Sequence, residues 1–471
     1  MSNFDKHVYG PTFEEMLHPE KIAPEIRKKA LQAKKEAPLD PINLFNITWK
    51  DQDGNPYYLV IPKEITGVDA NIIVLYSKEF PTGSHKVGAT YSVTLEHQIF
   101  DKIDPDRDTL VWPSTGNYGI GGAYVGTRMG YDSLVILPEL MSKERFELIE
   151  SFGARYVKTP GCESNVKEIY DKTWELRKES PKYRIMNQFE EMGNYRFHYH
   201  VTGNTVVELV KMLKEKHSIG NGRCAVFTSA MGSAGTIAAG DRLKQVFPEH
   251  KIIGLEPIQC PTLYSNGYGG HDIQGIGDKH VTWIHNVWNM DAIMCIDDIE
   301  CKKVLQVFVE EPGMETLTKD YGCDPAAVKK LSEIMGISGV CNVLGAIKAA
   351  KYYGIGKGQN VVTICTDAID RYYSVMKQMT ETYGRMDRRE AFYRIHYIMS
   401  GAKLDYIREG SHFARSCWHN LKYYTWVEQQ AKTVQELDAQ RDPAWWEKHQ
   451  AMVGDMDKML AEKRAKKGVL V

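Results

Sequence analysis

The stretch that decides the fold is Asn71-Ile-Ile-Val-Leu-Tyr-Ser-Lys-Glu-Phe-Pro-Thr-Gly-Ser-His-Lys-Val-Gly-Ala89. Its β-branched and apolar start predicts a short buried strand at 72–76. Lys86 follows between small residues, at a predicted helix start. An amine in such a place can be desolvated, its pKa can fall, and it can form a Schiff base with a carbonyl compound. A lysine after a loop is more often a solvated charge, so the rest of the chain has to support this interpretation.

The same pattern of a strand followed by a loop recurs from about residue 71 to about residue 374. Short apolar runs are followed by Gly, Ser, Pro or Asn, and then by helical spacing, as at 143–152 and 236–246. This alternation predicts an α/β domain with a largely parallel sheet. Ligands in such folds bind at the carboxyl ends of the strands, so the loops that follow the strands are expected to carry the binding residues. The predicted strands are 72–76, 110–112, 134–137, 156–158, 225–228, 252–255 and 361–365.

A second loop, Pro113-Ser-Thr-Gly-Asn-Tyr-Gly-Ile-Gly-Gly122, directly follows a predicted strand. Small residues entering a helix present backbone N–H groups and the helix dipole to an anion. The side chains of Ser114, Thr115 and Asn117 add further donors, which suits a carboxylate. A dinucleotide-binding loop is disfavoured, because the third glycine of GxGxxG is missing. A plain structural helix start remains an alternative for this loop by itself.

A third loop, Thr228-Ser-Ala-Met-Gly-Ser-Ala-Gly-Thr-Ile237, follows another predicted strand. It places small residues and hydroxyls at a predicted helix N-terminus, which suits a phosphate monoester held by backbone amides. It is not a P-loop, because no GK[ST] follows. The lysine, the carboxylate loop and the phosphate loop indicate a binding site much more strongly as a set than singly.

The composition argues against several function classes. The 59 Lys and Arg nearly cancel the 61 Asp and Glu, so no global basic field would attract nucleic acid or an anionic membrane. No apolar run approaches the ~20 residues that span a bilayer, and the N-terminal residues lack the apolar core of a signal peptide. The nine cysteines are scattered, with no CxxC pair, which predicts thiols in a reducing compartment. We therefore expect a cytoplasmic protein with neither a disulfide framework nor a metal site.

The flanks differ in composition from the central part of the chain. We predict an N-terminal extension at 1–40, and a helical C-terminal extension rich in charged and aromatic residues at 377–471. The central part is predicted to form one domain at 41–205, with the lysine and asparagine loops, and another at 206–376, with the phosphate loop. The C-terminal helices either pack on the body or a partner subunit, or form a lid over the site.

Taken together, the three loops resemble those of the fold-type II pyridoxal-phosphate enzymes, the family of tryptophan synthase β and cysteine synthase. Gly83-Ser-His-Lys86 is similar to the lysine motif of tryptophan synthase β, and LPELMSKER resembles a stretch of the cysteine synthases. The resemblance covers roughly residues 41–376. It implies an α/β fold with two open, largely parallel sheets flanked by helices, and pyridoxal 5′-phosphate as the cofactor. Further matches are Asn187-Gln-Phe189, Ile273-Gln-Gly-Ile-Gly277, Gly336-Ile-Ser-Gly339 and Asp370-Arg-Tyr372.

The resemblance also implies roles for residues at matching positions. Lys86 would hold the cofactor and move the substrate α-proton, and Asn117 would bind the 3′ oxygen of the cofactor. Thr366 is our choice for the partner of the pyridine nitrogen, with the adjacent Asp367 as the alternative. The substrate α-carboxylate would be held by Ser114, Thr115, Gly116 and Gln188. The phosphate would be held by Gly232, Ser233, Ala234, Gly235 and Thr236.

The reaction implied by the resemblance is β-elimination or β-replacement on a β-substituted L-amino acid, through an aminoacrylate intermediate. Cysteine, O-acetylserine or a similar amino acid would be the substrate, and family members are commonly homodimers. The motifs do not separate elimination from replacement. A serine or threonine dehydratase and a catalytically silent scaffold remain alternatives, although a silent homologue would be free to lose Lys86.

Overall fold

The computed structural model describes residues 7–114, 116–161 and 165–467. The strands are β1 Tyr58–Val60, β2 Asn71–Tyr76, β3 Thr109–Pro113, β4 Asp132–Pro138, β5 Arg155–Thr159, β6 Tyr183–Ile185, β7 Cys224–Ala230, β8 Lys251–Pro257, β9 Ala292–Ile296, β10 Asn360–Cys365 and β11 Ile407–Glu409. The α-helices are α1 Phe13–Leu17, α2 Pro24–Glu36, α3 Lys63–Thr66, α4 Lys86–Ile99, α5 Asn117–Arg128, α6 Lys143–Ser151, α7 Val166–Glu179, α8 Met192–Arg196, α9 Gly203–His217, α10 Ala238–Val246, α11 Thr262–Ser265, α12 Asp298–Val309, α13 Glu311–Glu315, α14 Pro325–Ile334, α15 Ile337–Tyr352, α16 Tyr373–Tyr383, α17 Arg388–Arg394, α18 His412–Trp426, α19 Val434–Ala439 and α20 Pro443–Lys467.

Two sheets form the frame of the molecule. The larger has seven strands in the order β1-β2-β10-β7-β8-β9-β11, and the smaller has four in the order β5-β4-β3-β6. Every pairing is parallel except those of the two edge strands of the larger sheet, β1 and β11. The central strands β2 and β10 are buried throughout, as expected of a parallel sheet covered by helices on both faces. This architecture confirms the predicted fold class.

All seven predicted strands are present, and the structure adds β1, β6, β9 and β11. The division of the central part at residue 205 does not separate the two sheets. Strand β2 precedes the smaller sheet in the chain but pairs with β10 in the larger one. The chain therefore enters the larger sheet, leaves it to build the smaller one, and returns. Local sequence patterns do not show which strands pair when the partners are far apart in the chain.

The C-terminal extension packs on the body of the same chain, and it is not wholly helical. Its strand β11 pairs antiparallel with β9 and extends the larger sheet by one edge strand. In α18 the indole nitrogens of Trp418 and Trp426 donate to the carbonyls of Leu263 and Val281 at 2.9 and 2.8 Å. The buried Lys422 donates to the backbone carbonyls of Trp283 and His285, and to the side-chain oxygen of Gln440. The extension thus holds the chain on both sides of the 273–277 motif.

None of the helices in the described ranges is both long and apolar enough to cross a bilayer. The part of the chain that the structure covers also contains no group of three or more His, Cys, Asp or Glu side chains placed to hold a metal ion.

Candidate active site

The three loops identified in the sequence converge at the carboxyl ends of β2, β3 and β7. They line one cavity, and Gln188, from the loop after β6, joins them. This is the place where open parallel sheets bind their ligands. The lining residues are Lys86, Ser114, Gly116, Asn117, Tyr118, Gln188, Ala230, Gly232, Ala234, Thr236, Gln274, Gly275, Ile276, Ser338 and Thr366.

Most of the predicted site residues lie on this cavity. Of the remaining three, Ser233 contacts Lys86, and Gly235 lies in the same loop against Asn194. Thr115 lies outside the described residues. The lining also includes Gln274, Gly275 and Ile276 from the 273–277 motif, for which no role was predicted. The sequence showed these residues as part of a family motif. Only the folded chain shows that the motif faces the cavity.

Lys86 is the first residue of α4, and its side chain is buried, with 8% exposed. Its Nζ donates a hydrogen bond to Ser233 Oγ at 3.2 Å, which joins the lysine loop to the phosphate loop. Burial lowers the pKa of Lys86 to about 8, against a smaller opposing effect of the Asp278 carboxylate. About a tenth of the amine is therefore neutral at pH 7, far more than for an ordinary lysine, and the neutral form is the one that adds to a carbonyl carbon.

The carboxylate loop is held in shape by Ser114 and by the glycine two residues later. Ser114 Oγ accepts from the N–H groups of Gly116 at 2.9 Å and Gly119 at 2.7 Å, at the start of α5. Gly116 has a φ of 152°, and a Cβ there would lie 2.0 Å from Arg145 Nη1. Only glycine fits between the buried guanidinium and the cavity, so the loop backbone comes close to any bound group.

The phosphate loop runs from Met231 to the start of α10. The hydrogen bonds of the described residues include none donated by the backbone N–H groups of Gly232, Ser233, Ala234 or Thr236. Ala234 adopts a left-handed conformation with a φ of 59°, which is uncommon for a residue with a side chain and is found at ligand-binding loops. Free N–H groups at the N-terminus of a nine-residue helix form a site that fits a phosphate.

Asn117 belongs to a buried polar network that connects the two sheets. Its Nδ2 donates to Asp367 Oδ2 at 2.6 Å, and its Oδ1 accepts from Arg371 Nη1 at 2.7 Å. The hydroxyl of Tyr372 also donates to Asp367 Oδ2, at 2.7 Å, and Arg145 Nη2 lies 3.7 Å from that oxygen. One hydrogen of the Asn117 amide nitrogen remains for a cofactor oxygen.

The network bears on the partner of the pyridine nitrogen, for which Thr366 was chosen and Asp367 kept as the alternative. Thr366 lines the cavity, whereas Asp367 is not part of the lining, and one of its oxygens is taken up by Asn117 and Tyr372. The geometry is therefore compatible with Thr366, which stays a prediction. Ser338 also lines the cavity, and its Oγ makes no hydrogen bond within the described part of the chain.

These residues fit pyridoxal 5′-phosphate on three observations. A buried amine with a lowered pKa meets the need for a Schiff-base partner. A helix N-terminus with free N–H groups fits the phosphate. The tight loop at Gly116 brings the backbone close to a group bound in the cavity.

Comparison with known proteins identifies the family of this chain. Residues 66–367 match the family described as pyridoxal-phosphate dependent enzyme. A cysteine synthase of Staphylococcus aureus is 30% identical over 311 residues, which are 65% of this chain and 90% of the relative.

Solved structures share the fold. A cysteine synthase from Entamoeba histolytica superposes with a TM-score of 0.58 at 23% identity, covering 73% of this chain and 93% of that one. A hydrogen sulfide-producing enzyme from Fusobacterium nucleatum gives 0.57 at 24% identity, covering 67% and 95%. With the family match spanning more than half of its length, this chain belongs to the pyridoxal-phosphate dependent enzymes and uses pyridoxal 5′-phosphate as its cofactor.

Proposed function

We propose that this enzyme catalyses β-elimination or β-replacement on a β-substituted L-amino acid, such as cysteine or O-acetylserine. The observation that carries the proposal is the position of Lys86. Its buried amine lies 3.2 Å from Ser233 of the phosphate loop, in a cavity shared with the carboxylate loop. An amino acid held by its carboxylate in that loop would have its α carbon within the cavity that Lys86 lines.

Each loop has a binding role in this proposal. The N–H groups and hydroxyls of Gly232, Ser233, Ala234, Gly235 and Thr236 hold the cofactor phosphate. Asn117 donates to the 3′ oxygen of the cofactor, and Thr366 contacts the pyridine nitrogen. The substrate carboxylate is bound by Ser114, Thr115, Gly116 and Gln188.

The cofactor, when bound, supplies an electron sink for the electron pair left at the α carbon. Lys86 removes the proton from that carbon, since its lowered pKa leaves a neutral amine available as a base. The buried walls of the cavity exclude bulk water, which strengthens every charge interaction with the substrate. Departure of the β substituent then yields an unsaturated product. In elimination it is released and hydrolyses to pyruvate and ammonia, whereas in replacement a nucleophile adds to it.

The relatives support this class of reaction, since they include cysteine synthases and a hydrogen sulfide-producing enzyme. We further propose a cytoplasmic homodimer, in line with the expectation from sequence. The substrate, the choice between the two reactions and the oligomeric state all belong to the proposal.

The test is the absorbance spectrum of the purified holoenzyme before and after addition of cysteine, O-acetylserine or serine, with pyruvate assayed in parallel. A spectral shift with pyruvate accumulating in the absence of a nucleophile would identify an elimination enzyme. A shifted band that persists until sulfide or another thiol is added would identify a replacement enzyme. A holoenzyme whose band does not respond to any of the three amino acids would overturn the proposal.

A further inference from the structure

Asp278 is a buried carboxylate next to the active-site cavity. It directly follows the 273–277 motif, and 4% of it is exposed. Neither of its carboxylate oxygens makes a hydrogen bond within the described ranges. A buried carboxylate without donors is costly, so its presence calls for an explanation other than stability.

The backbone around Asp278 is fixed from two sides. The N–H of Gly277 donates to the carbonyl of Met231 at 2.8 Å, which ties the motif to the start of the phosphate loop. Thr262 Oγ1 donates to the carbonyl of Asp278 at 3.0 Å. Asp278 Oδ2 lies 3.5 Å from where a Cβ on Gly232 would be, and Gly232 lines the cavity. The carboxyl group is not part of the lining itself but lies directly behind Gly232, which is, so it is next to the cavity in a well-defined position.

Lys86 is the charged group that acts on Asp278. Burial raises the pKa of Asp278 to about 7, and the positive charge of Lys86 opposes that rise. The effect is mutual, because the Asp278 carboxylate raises the pKa of Lys86. Near neutral pH the carboxyl group is thus present both with and without its proton, as a group that gives and takes a proton during turnover must be.

We propose that Asp278 is the acid that protonates the leaving group at the substrate β carbon, so that the enzyme prefers substrates whose β substituent leaves as a neutral thiol or hydroxyl compound. This inference rests on the function proposed above. It assigns separate proton-transfer roles to the two coupled groups, Lys86 at the α carbon and Asp278 at the β substituent.

The protons and electrons balance within the pair. Lys86 takes the α-proton and becomes an ammonium ion. The electron pair left at the α carbon forms a double bond to the β carbon as the bond between the β carbon and its sulfur or oxygen breaks. The departing atom keeps the electron pair of the broken bond and takes the Asp278 proton. For cysteine this releases hydrogen sulfide, and for serine it releases water. A proton then returns from the Lys86 ammonium to the Asp278 carboxylate, which restores both groups. Acetate leaves O-acetylserine as a stable anion, so this substrate needs no such acid.

The test compares the holoenzyme forms of the wild type, Asp278→Asn and Asp278→Glu on cysteine, serine and O-acetylserine. Asp69→Asn, at an exposed acid before β2, is the matched control. We expect Asp278→Asn to lose on the order of 10²–10⁴-fold in kcat on cysteine and serine, the usual contribution of a positioned acid. Its kcat on O-acetylserine should change only a few fold, and Asp278→Glu should recover part of the loss.

A second readout does not depend on turnover. The rate at which the apoenzyme captures pyridoxal 5′-phosphate follows the neutral fraction of Lys86. Asparagine lacks the negative charge that raises the pKa of Lys86, so the pH midpoint of capture should move to lower pH in Asp278→Asn.

A third readout needs only the wild type. The solvent deuterium isotope effect should be larger on cleavage of cysteine than on cleavage of O-acetylserine, because only cysteine cleavage needs the Asp278 proton.

The outcomes separate the two proposals. A wild type that converts none of the three substrates overturns the proposed function, and this inference with it. The wild type could be active while Asp278→Asn loses kcat by the same factor on all three substrates, or on none of them. That result overturns only the role of Asp278. If neither Asp278 variant folds, equal isotope effects on cysteine and O-acetylserine in the wild type overturn that role.

Discussion

Asn117 Nδ2 donates a hydrogen bond of 2.6 Å to Asp367 Oδ2, across 250 residues of chain. The bond joins the loop after β3, in the smaller sheet, to the end of β10, in the larger sheet. The predicted contact of the cofactor 3′ oxygen is therefore positioned by a carboxylate from the other sheet. Arg371 binds the other end of the same amide, so the orientation of Asn117 is defined from both sides.

Asp367→Ala should destabilise the protein strongly. The carboxylate lies among the buried cations Arg371 and Arg145, and its removal takes away a negative charge that stabilises both. We expect the free energy of unfolding to fall by about 3–5 kcal/mol. Urea unfolding of the apoenzyme measures this free energy. Asp370→Ala, which removes an exposed ion pair with Lys78, should cost no more than about 1 kcal/mol. Equal losses in the two variants would contradict the buried-network argument.

Lys86→Ala should abolish both the yellow absorbance of the holoenzyme and its activity. Without the amine there is no Schiff-base partner and no base at the α carbon, so turnover should fall by at least ~10³-fold. The control is Lys78→Ala in the same loop, where the exposed amine pairs with Asp370 at 2.6 Å. A Lys86→Ala variant that kept the absorbance band would disprove the assignment of this lysine.

Cofactor capture by the apoenzyme should depend on pH through Lys86. The pKa of about 8 means that the amine is mostly protonated below that pH and mostly neutral above it, and only the neutral form adds to the aldehyde. The rate should rise about tenfold per pH unit towards pH 8 and level off above it. Stopped-flow absorbance from about pH 6 to about pH 9 measures the profile. A midpoint near the ordinary lysine value would mean that Lys86 is not desolvated.

Gly235→Ala should weaken cofactor binding. A Cβ at this position would lie 2.1 Å from Asn194 Oδ1, and Asn194 also donates to Ser233 Oγ at 2.9 Å, so the phosphate loop would have to move. We expect the dissociation constant of pyridoxal 5′-phosphate to rise by about tenfold or more. Gly454→Ala is the control, since a Cβ there meets no atom within 4 Å and alanine favours the helix. Fluorescence titration of both apoenzymes gives the comparison, and unchanged affinity in Gly235→Ala would contradict the close packing.

The predictions from sequence succeeded where the signal is local. A buried parallel strand appears in the sequence as a short apolar run, and the loop after it appears as a run of small residues. Seven strands and three loops could therefore be found without coordinates. The edge strands β1 and β11 were not predicted, because three residues carry too little pattern and their partners are far away in the chain. The helical composition of the C-terminal extension likewise gave no sign that it would add a strand to the larger sheet.

The sequence by itself determined the order of the loops, the chemistry that each can offer and the family to which they point. Only the tertiary structure decided how those groups are charged and oriented. The lowered pKa of Lys86 comes from burial by distant segments, and the orientation of Asn117 comes from a carboxylate 250 residues away. The isolation of Asp278 depends on the absence of donors around a side chain, in the part of the chain that the structure describes. Desolvation and unmet hydrogen bonds are properties of a packed environment, and no stretch of sequence contains its own environment.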